Sequence, residues 1–238
     1  MEVEGAIVRR PRHPWTPTVH AVLVHLRSSG LTVVPAPLGI GVDHETVSAL
    51  AGAAGADCWP HQATAAGLRS AARLLREIHD ATVGFDPPPD AVWALPPTEP
   101  REVICNGDPG PWNMVWLNGR AAGLFDWDLC HPGPRIEDVA NALEYFAPFR
   151  DDAAAMRWHG FPAPPDRVGR IRTFCAEYGI SSEGVVDVVI ELQHRRVTHV
   201  TTLAEQCVQP QADWVLEGHL DELSARVAWS EQHRHLLR

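Results

Sequence analysis

Asp108, Asn113 and Asp126 carry the chemistry that the sequence offers most plainly. Asp108 lies in Asn106-Gly107-Asp108-Pro109-Gly110-Pro111-Trp112-Asn113, whose glycine and proline content demands a tight loop. Met114 to Leu117 and Arg120 to Phe125 flank Asn118-Gly119, a strong short hairpin signal because both turn positions tolerate positive φ. With Asn118-Gly119 as a two-residue turn, Leu117 faces Arg120, Asn113 faces Leu124, and Asp126 follows on the same face. Diagonal neighbours on an antiparallel pair lie roughly 7–8 Å apart, a gap that two oxygen side chains and one hard divalent cation can bridge. Asp108, just before the hairpin, is then placed to orient or deprotonate a hydroxyl. Each residue alone reads equally as a turn-capping Asp or Asn. The three together, with the hairpin between them, point to a metal-assisted site.

Several elements must position these groups. Val103-Ile104-Cys105 reads as a short strand feeding the loop. Ala65 to His79 places Leu68, Ala71, Ala72, Leu75 and Ile78 on one helical face. The proline-rich segment from Gly84 to Pro100 forbids a continuous helix or inner strand. Further helices are expected at Arg135 to Phe146, Val168 to Tyr178, Glu183 to Gln206 and Trp214 to His235. Residues 1–50 read as a small α/β lobe with an amphipathic stretch from Thr18 to Arg27. Residues 51–64 read as a linker, and 65–238 as a mainly helical lobe holding loop and hairpin.

Composition narrows the chemistry. The 20 basic residues are all arginine, so Schiff-base chemistry, a phosphate-loop lysine and a lysine general base are excluded. A formal charge of −10 argues against nucleic acid or an anionic membrane as the main partner, and a cationic or neutral small molecule fits better. Cys58, Cys105, Cys130, Cys175 and Cys207 are odd in number and far apart, with no Cys-x-x-Cys pair, and read as buried or free thiols in a reducing compartment. Glu2 and Glu4 stand where a signal peptide needs positive charge, and no apolar run approaches the ~18 residues of a membrane span, so a cytoplasmic location is expected.

An aspartate base, an asparagine five residues later and an aspartate after a hairpin are the working parts of phosphoryl transfer on a kinase-like scaffold. The sequence resembles the aminoglycoside phosphotransferase family of small-molecule kinases, which shares its fold with protein kinases. The match is carried by Asn106 to Asn113, by Leu124-Phe125-Asp126-Trp127-Asp128, by Pro132-Gly133-Pro134 and by Glu137-Asp138-Val139-Ala140. Leu74 to Asp80 looks like the helix before the catalytic loop, and Val8 to Pro11 and Pro35 to Ile40 look like strands of the first lobe. The resemblance implies an α+β, protein-kinase-like two-lobe fold with a truncated N-terminal lobe. It implies Asp108 as catalytic base, Asn113 and Asp126 as magnesium ligands, Asp128 as a second carboxylate near the metal, and Asp138 with Asn106 as anchors of the loop. Backbone near Ser48, Ala49 and Leu50 would meet the base of ATP or GTP. The implied acceptor is a hydroxyl of a small molecule, an aminoglycoside or related metabolite, and the implied setting is antibiotic resistance.

The chain departs from the family pattern in its first lobe. Asn106 stands where a histidine is usual, and its amide can still hydrogen-bond within the loop. The phosphate-binding lysine is absent, leaving Arg9 and Arg10 as substitutes. Thr18 to Arg27 contains no carboxylate, so the ion pair usual there is expected to be missing as a unit. His20, His25, His194 and His199 are spaced five apart within each pair and read as core or surface histidines, not zinc ligands. Glu137, Glu144, Asp151, Asp152, Glu183, Asp187 and Glu191 could attract an amino sugar or simply be solvated. Trp112, Trp127 and Trp158 could line the cleft. Two further readings compete: a kinase-fold binding or regulatory protein with weak or no phosphoryl transfer, and metal-assisted phosphate hydrolysis.

Overall fold

The computed structural model describes residues 2–207 and 211–238. Its first part is an antiparallel sheet of β1 (Glu2–Glu4), β2 (Ile7–Pro11), β3 (Pro37–Ile40) and β4 (His44–Ser48), in the order β1-β2-β4-β3. Helix α1 (Thr16–Ser28) joins β2 to β3 and buries Val19, Val22, Leu23 and Leu26. It begins two residues before the expected start, with Pro17 in the first turn, where a missing N–H costs nothing.

Ala53 then pairs with Trp116 through two backbone hydrogen bonds of 2.9 and 2.7 Å, which ties this stretch to the hairpin. A 3-10 segment (Ala56–Ala63) leads into α2 (Ala65–Thr82), whose N-cap Thr64 accepts the Gly67 N–H through its hydroxyl at 2.9 Å. The apolar face expected on this helix is buried, with Ala71, Ala72, Leu75 and Ile78 fully so.

Four short strands follow: β5 (Val103–Cys105), β6 (Met114–Leu117), β7 (Arg120–Leu124) and β8 (His131–Gly133), paired antiparallel as β5 with β8 and β6 with β7. The β6–β7 turn is Asn118-Gly119, both at positive φ, and Leu117 faces Arg120 as expected. Beyond that pair the register departs from a regular ladder. Trp116 faces Ala121 but Val115 faces Gly123, so Ala122 is bulged and Met114, not Asn113, lies opposite Leu124. The bulge lets the Leu124 N–H reach the Val33 carbonyl at 2.9 Å, with Gly123 so close to Val33 and Leu50 that a side chain has no room. Asn113 still joins the hairpin, its carbonyl accepting the Phe125 N–H at 2.8 Å.

The rest is helical: α3 (Arg135–Phe146), α4 (Asp152–His159), α5 (Arg167–Tyr178), α6 (Val185–Glu205), α7 (Gln211–Leu216) and α8 (His219–Gln232). Helix α4 lies outside the expected helices, although its boundary residues stand in the sequence: Asp151 caps it by accepting the Ala154 N–H at 2.9 Å, and Gly160 ends it at φ +68°. The single helix expected from Trp214 to His235 is two, divided where Gly218 takes φ +86°. The core between α1, α2, α3, α5 and α6 includes Leu23, Leu75, Trp127, Leu143, Phe146 and Phe174. No described helix is long and apolar enough to cross a membrane. All five cysteines are free, four buried and Cys207 exposed.

Candidate active site

The loop after β5 is held from beneath by one buried carboxylate. Asp138, in the first turns of α3 and fully buried, accepts the backbone N–H of Asn106 at 2.5 Å and of Gly107 at 2.9 Å. Gly107 takes φ +86°, and a side chain there would collide with the Leu129 carbonyl, so this corner requires glycine. His79 of α2, also fully buried, lies with Nε2 3.1 Å from Asp138 and Nδ1 2.6 Å from the Tyr178 hydroxyl. A neutral imidazole satisfies both contacts, with Nε2–H donating to the carboxylate and Nδ1 accepting from tyrosine. The sequence patterns assign His79 no role; its one signal is its place on the buried face of α2, one turn after Leu75. Asn106 completes the loop by donating its amide to the Asp126 carbonyl at 3.0 Å and accepting the Asp108 N–H at 3.2 Å.

This frame sets Asp108 against Asn113. The Asn113 amide donates to both the backbone oxygen and Oδ2 of Asp108, at 2.8 and 2.9 Å, and Trp112 Nε1–H donates to the same Oδ2 at 2.9 Å. Gly110 makes that possible, because a side chain there would overlap the Trp112 ring folded back over the loop. With its nitrogen committed to Asp108, Asn113 has only its oxygen to offer a cation. Burial raises the Asp108 carboxyl above its ordinary value, and the Asp126 charge adds to this, against Arg196 and the Trp112 and Asn113 donors.

Arg10 reaches the other side of the loop from β2. Its Nη1 lies 3.1 Å from Asp126 Oδ1 and 3.2 Å from Asp128 Oδ2, and its Nη2 lies 3.1 Å from Asp128 Oδ1. Behind the guanidinium, Nε lies 2.7 Å from Oε1 of the fully buried Glu45, whose Oε2 is 2.6 Å from His20 Nε2. The expected absence of an ion pair is therefore corrected. A carboxylate partner exists, but it comes from β4, where Glu45 stands directly opposite Arg10, and α1 contributes His20 instead. Burial penalises the Arg10 charge, yet Asp128, Glu45 and Asp126 outweigh it and raise the pKa. Burial likewise pushes Glu45 up, but His20 and Arg10 bring it below its ordinary value.

The remaining site residues divide. Arg9 lies exposed on the opposite face of β2 with His44, 3.1 Å away, and is not brought to Asp126. The N–H groups of Ser48 and Ala49 are used within the sheet, bonded to the carbonyls of Ala36 and Ala6 at 2.8 Å each. Leu50 packs beside Gly123 of the hairpin. Asp126, at φ +56°, and Asp128 present carboxylates that meet Arg10, and with Asn113 they are the oxygen-bearing side chains here that could hold a hard cation such as magnesium.

On the far side of Trp112 lies a cavity of about 720 Å³, lined by Trp59, Trp112, Trp158, Arg150, Arg196 and Arg226 among others. Of the acidic residues expected on the acceptor side, only Asp151 lines it, and Asp151 is used as the cap of α4. Glu144 is buried and held down to about 2, because burial is outweighed by Arg196, Arg226 and Arg150. Glu137 pairs with His131, Asp152 with Arg167, and Asp187 with Arg234 and Arg238. Trp127 belongs to the core, whereas Trp112 and Trp158 line the cavity.

A sequence model of the phosphotransferase enzyme family matches residues 89–169, which take in the loop, the hairpin and α3. Over 193 residues the chain is 32% identical to the trifolitoxin immunity protein of Rhizobium leguminosarum bv. trifolii, an overlap of 78% of this chain and 74% of that protein. The chain belongs to the phosphotransferase enzyme family. Its fold is the α+β kinase-like fold of the aminoglycoside phosphotransferases. It is similar to spectinomycin phosphotransferase APH(9)-Ia, solved with ADP and spectinomycin, at a TM-score of 0.61 and 12% identity, covering 97% of this chain and 88% of that one. It is similar also to APH(2'')-IIa, solved with gentamicin, at 0.58 and 10%, covering 94% and 85%. In this lysine-free chain it is Arg10 that faces the two carboxylates, Asp126 and Asp128.

Proposed function

We propose that this family member is a cytoplasmic phosphotransferase that moves the terminal phosphate of ATP or GTP to a hydroxyl of a small molecule. The observation that carries the reading is the convergence of Asp108, Asn113, Asp126, Asp128 and Arg10 on one loop and hairpin. Asp108, with its pKa raised by burial, is suited to accept the proton of an attacking hydroxyl. The Asn113 oxygen, Asp126 and Asp128 would hold Mg²⁺, which neutralises phosphate charge and fixes the phosphoryl group for transfer. Arg10, braced by Glu45, would neutralise phosphate in place of the absent lysine, while Asp138 and Asn106 keep the loop in shape. Residues 1–50 and 65–238 would close over the nucleotide about the 51–64 linker, with Ser48 to Leu50 at the base.

A setting of protection against a toxic compound, close to the antibiotic resistance that the family resemblance implies, is supported by the relative's name as a trifolitoxin immunity protein. The test is transfer of labelled terminal phosphate with Mg²⁺ and a panel of hydroxylated antibiotics. Transfer that disappears in Asp108→Asn supports the reading; no nucleotide binding at millimolar concentration sinks it.

A second reading, a kinase-fold binding protein without efficient transfer, is favoured by one contact. Arg10 engages the same Asp126 and Asp128 oxygens that a metal would need. Acceptor binding that is unaffected by Mg²⁺ and nucleotide, with no turnover, is its signature.

A further inference from the structure

The cavity beyond Trp112 is cationic in its depth. Arg150, Arg196 and Arg226 share it, and the one buried carboxylate near them, Glu144, is already saturated by Arg196 at 2.6 Å, Arg226 at 2.9 Å and Gln193 at 3.3 Å. Asp151 and Glu222 stand on the exposed side, Asp151 capping α4 and Glu222 3.7 Å from His219. Three guanidinium groups thus surround the fully buried, committed Glu144, while Asp108, held by the Trp112 and Asn113 donors, also feels the Arg196 charge.

Among the described residues that line the cavity, the buried polar atoms left over are donors. Arg150 Nε and Nη2 are buried without a hydrogen-bond partner among the described residues, and the group lies over the Tyr145 ring, 5.4 Å from its centroid. Burial, with the like charge of Arg226 and Arg196, lowers its pKa to about 10, so it stays charged at neutral pH. His159, 2% exposed, has Nδ1 3.4 Å from the Gln62 amide nitrogen, a contact in which Nδ1 accepts. Its Nε2 then carries the proton, and Nε2 also has no partner among the described residues. Burial and the charges of Arg150 and Arg226 keep this ring neutral, with a pKa of about 3. Unpaired buried donors are costly, and an oxyanion answers both guanidinium and imidazole.

The walls are aromatic. Trp59, Trp112, Trp158 and Trp229 line the cavity, and Trp112, edge-on to Tyr145 at 4.3 Å, is the residue whose indole donates to Asp108. A molecule stacked there has one end among the arginines and lies against Trp112, the residue that bonds Asp108.

We propose that the acceptor is a hydroxylated small molecule bearing an oxyanion, such as a carboxylate, on an aromatic or other planar apolar body, and that Arg150 and Arg226 bind the anion. This deepens the phosphotransferase reading and rests on it for the role of the hydroxyl. It replaces the cationic amino sugar that the acidic composition suggested.

The test uses the full chain and three near-isosteric probes: para-hydroxyphenylacetate, its neutral amide, and the cationic para-hydroxyphenethylamine. Binding is followed by tryptophan fluorescence and calorimetry, with Mg·ADP binding measured separately. The carboxylate is expected to bind at least about tenfold tighter than the amide, and the amine weakest. Arg150→Gln, which breaks no hydrogen bond among the described residues, is expected to abolish the preference, and Arg150→Lys to restore part of it. Equal binding of the three probes, tighter binding of the amine, or an unchanged preference in Arg150→Gln overturns the proposal. Mg·ADP binding with no anion preference removes this inference alone. Anion preference without Mg·ADP binding keeps the anion site and removes the phosphotransfer reading.

Discussion

Arg10 and Glu45 stand directly opposite each other across β2 and β4, with the guanidinium Nε 2.7 Å from the buried carboxylate. A strand-to-strand pair thereby aims a charged fork at Asp126 and Asp128 more than a hundred residues away. Cross-strand neighbours are rigid relative to each other, so the fork keeps its direction with little entropy to lose.

Removing either partner should separate support from function. Arg10→Ala strands Glu45 with only His20, and is expected to cost about 2 kcal/mol in urea unfolding. It should also lower phosphate transfer by on the order of 100-fold. Arg10→Lys should recover charge but not the two-pronged contact with Asp128, giving intermediate turnover with raised nucleotide KM.

Asp108 should act in the chemical step alone. Asp108→Asn is expected to lower kcat by on the order of 1,000-fold while leaving Mg·ADP affinity unchanged. Asp126→Asn should instead weaken Mg²⁺ dependence and nucleotide affinity together, which calorimetry with and without the metal distinguishes.

Asp138 should be a stability residue first. Asp138→Ala leaves the Asn106 and Gly107 N–H groups and His79 buried without their acceptor, an expected loss of about 3 kcal/mol. Asp138→Asn keeps one acceptor oxygen and should lose less, while turnover falls in both because the loop loosens. Chemical unfolding and kcat measured on the same preparations check this.

The buried neutral His159 makes stability fall on acidification. Burial, then Arg150 and Arg226, depress its folded pKa to about 3 from 6.5, so the unfolded chain binds the extra proton between those values. The stabilisation is fully present above about pH 6.5 and declines as pH falls toward about 3. Near pH 5 the loss is about 2 kcal/mol. Glu144, held down to about 2, adds a second decline below its ordinary value of 4.5. The pH dependence of unfolding in His159→Gln should be flatter between pH 6.5 and 4.5.

Much of the site is legible in local signals. The Gly and Pro loop around Asp108, the Asn118-Gly119 turn and the apolar stripe of α2 are set by backbone sterics and periodicity within a few residues. The hairpin register is not legible that way, because the bulge at Ala122 answers to Val33, a residue from another part of the chain. Helix α4 gives little sign of itself because eight residues carry too little periodicity, even between Asp151 and Gly160.

By itself the sequence determined which chemistries the chain can perform: no lysine, one loop aspartate, one asparagine and two aspartates around a hairpin. Only the tertiary structure decided that Arg10 and not Arg9 faces them, since neighbouring strand residues point to opposite faces and sheet pairing selects the inner one. Tertiary structure decided also that Arg150, Arg196 and Arg226 line the cavity beside Trp112, with Asp151 and Glu222 at its exposed side. A buried carboxylate needs a cation, and Glu144 takes Arg196 and Arg226 from among the three guanidinium groups that the α3–α4 loop, α6 and α8 bring together.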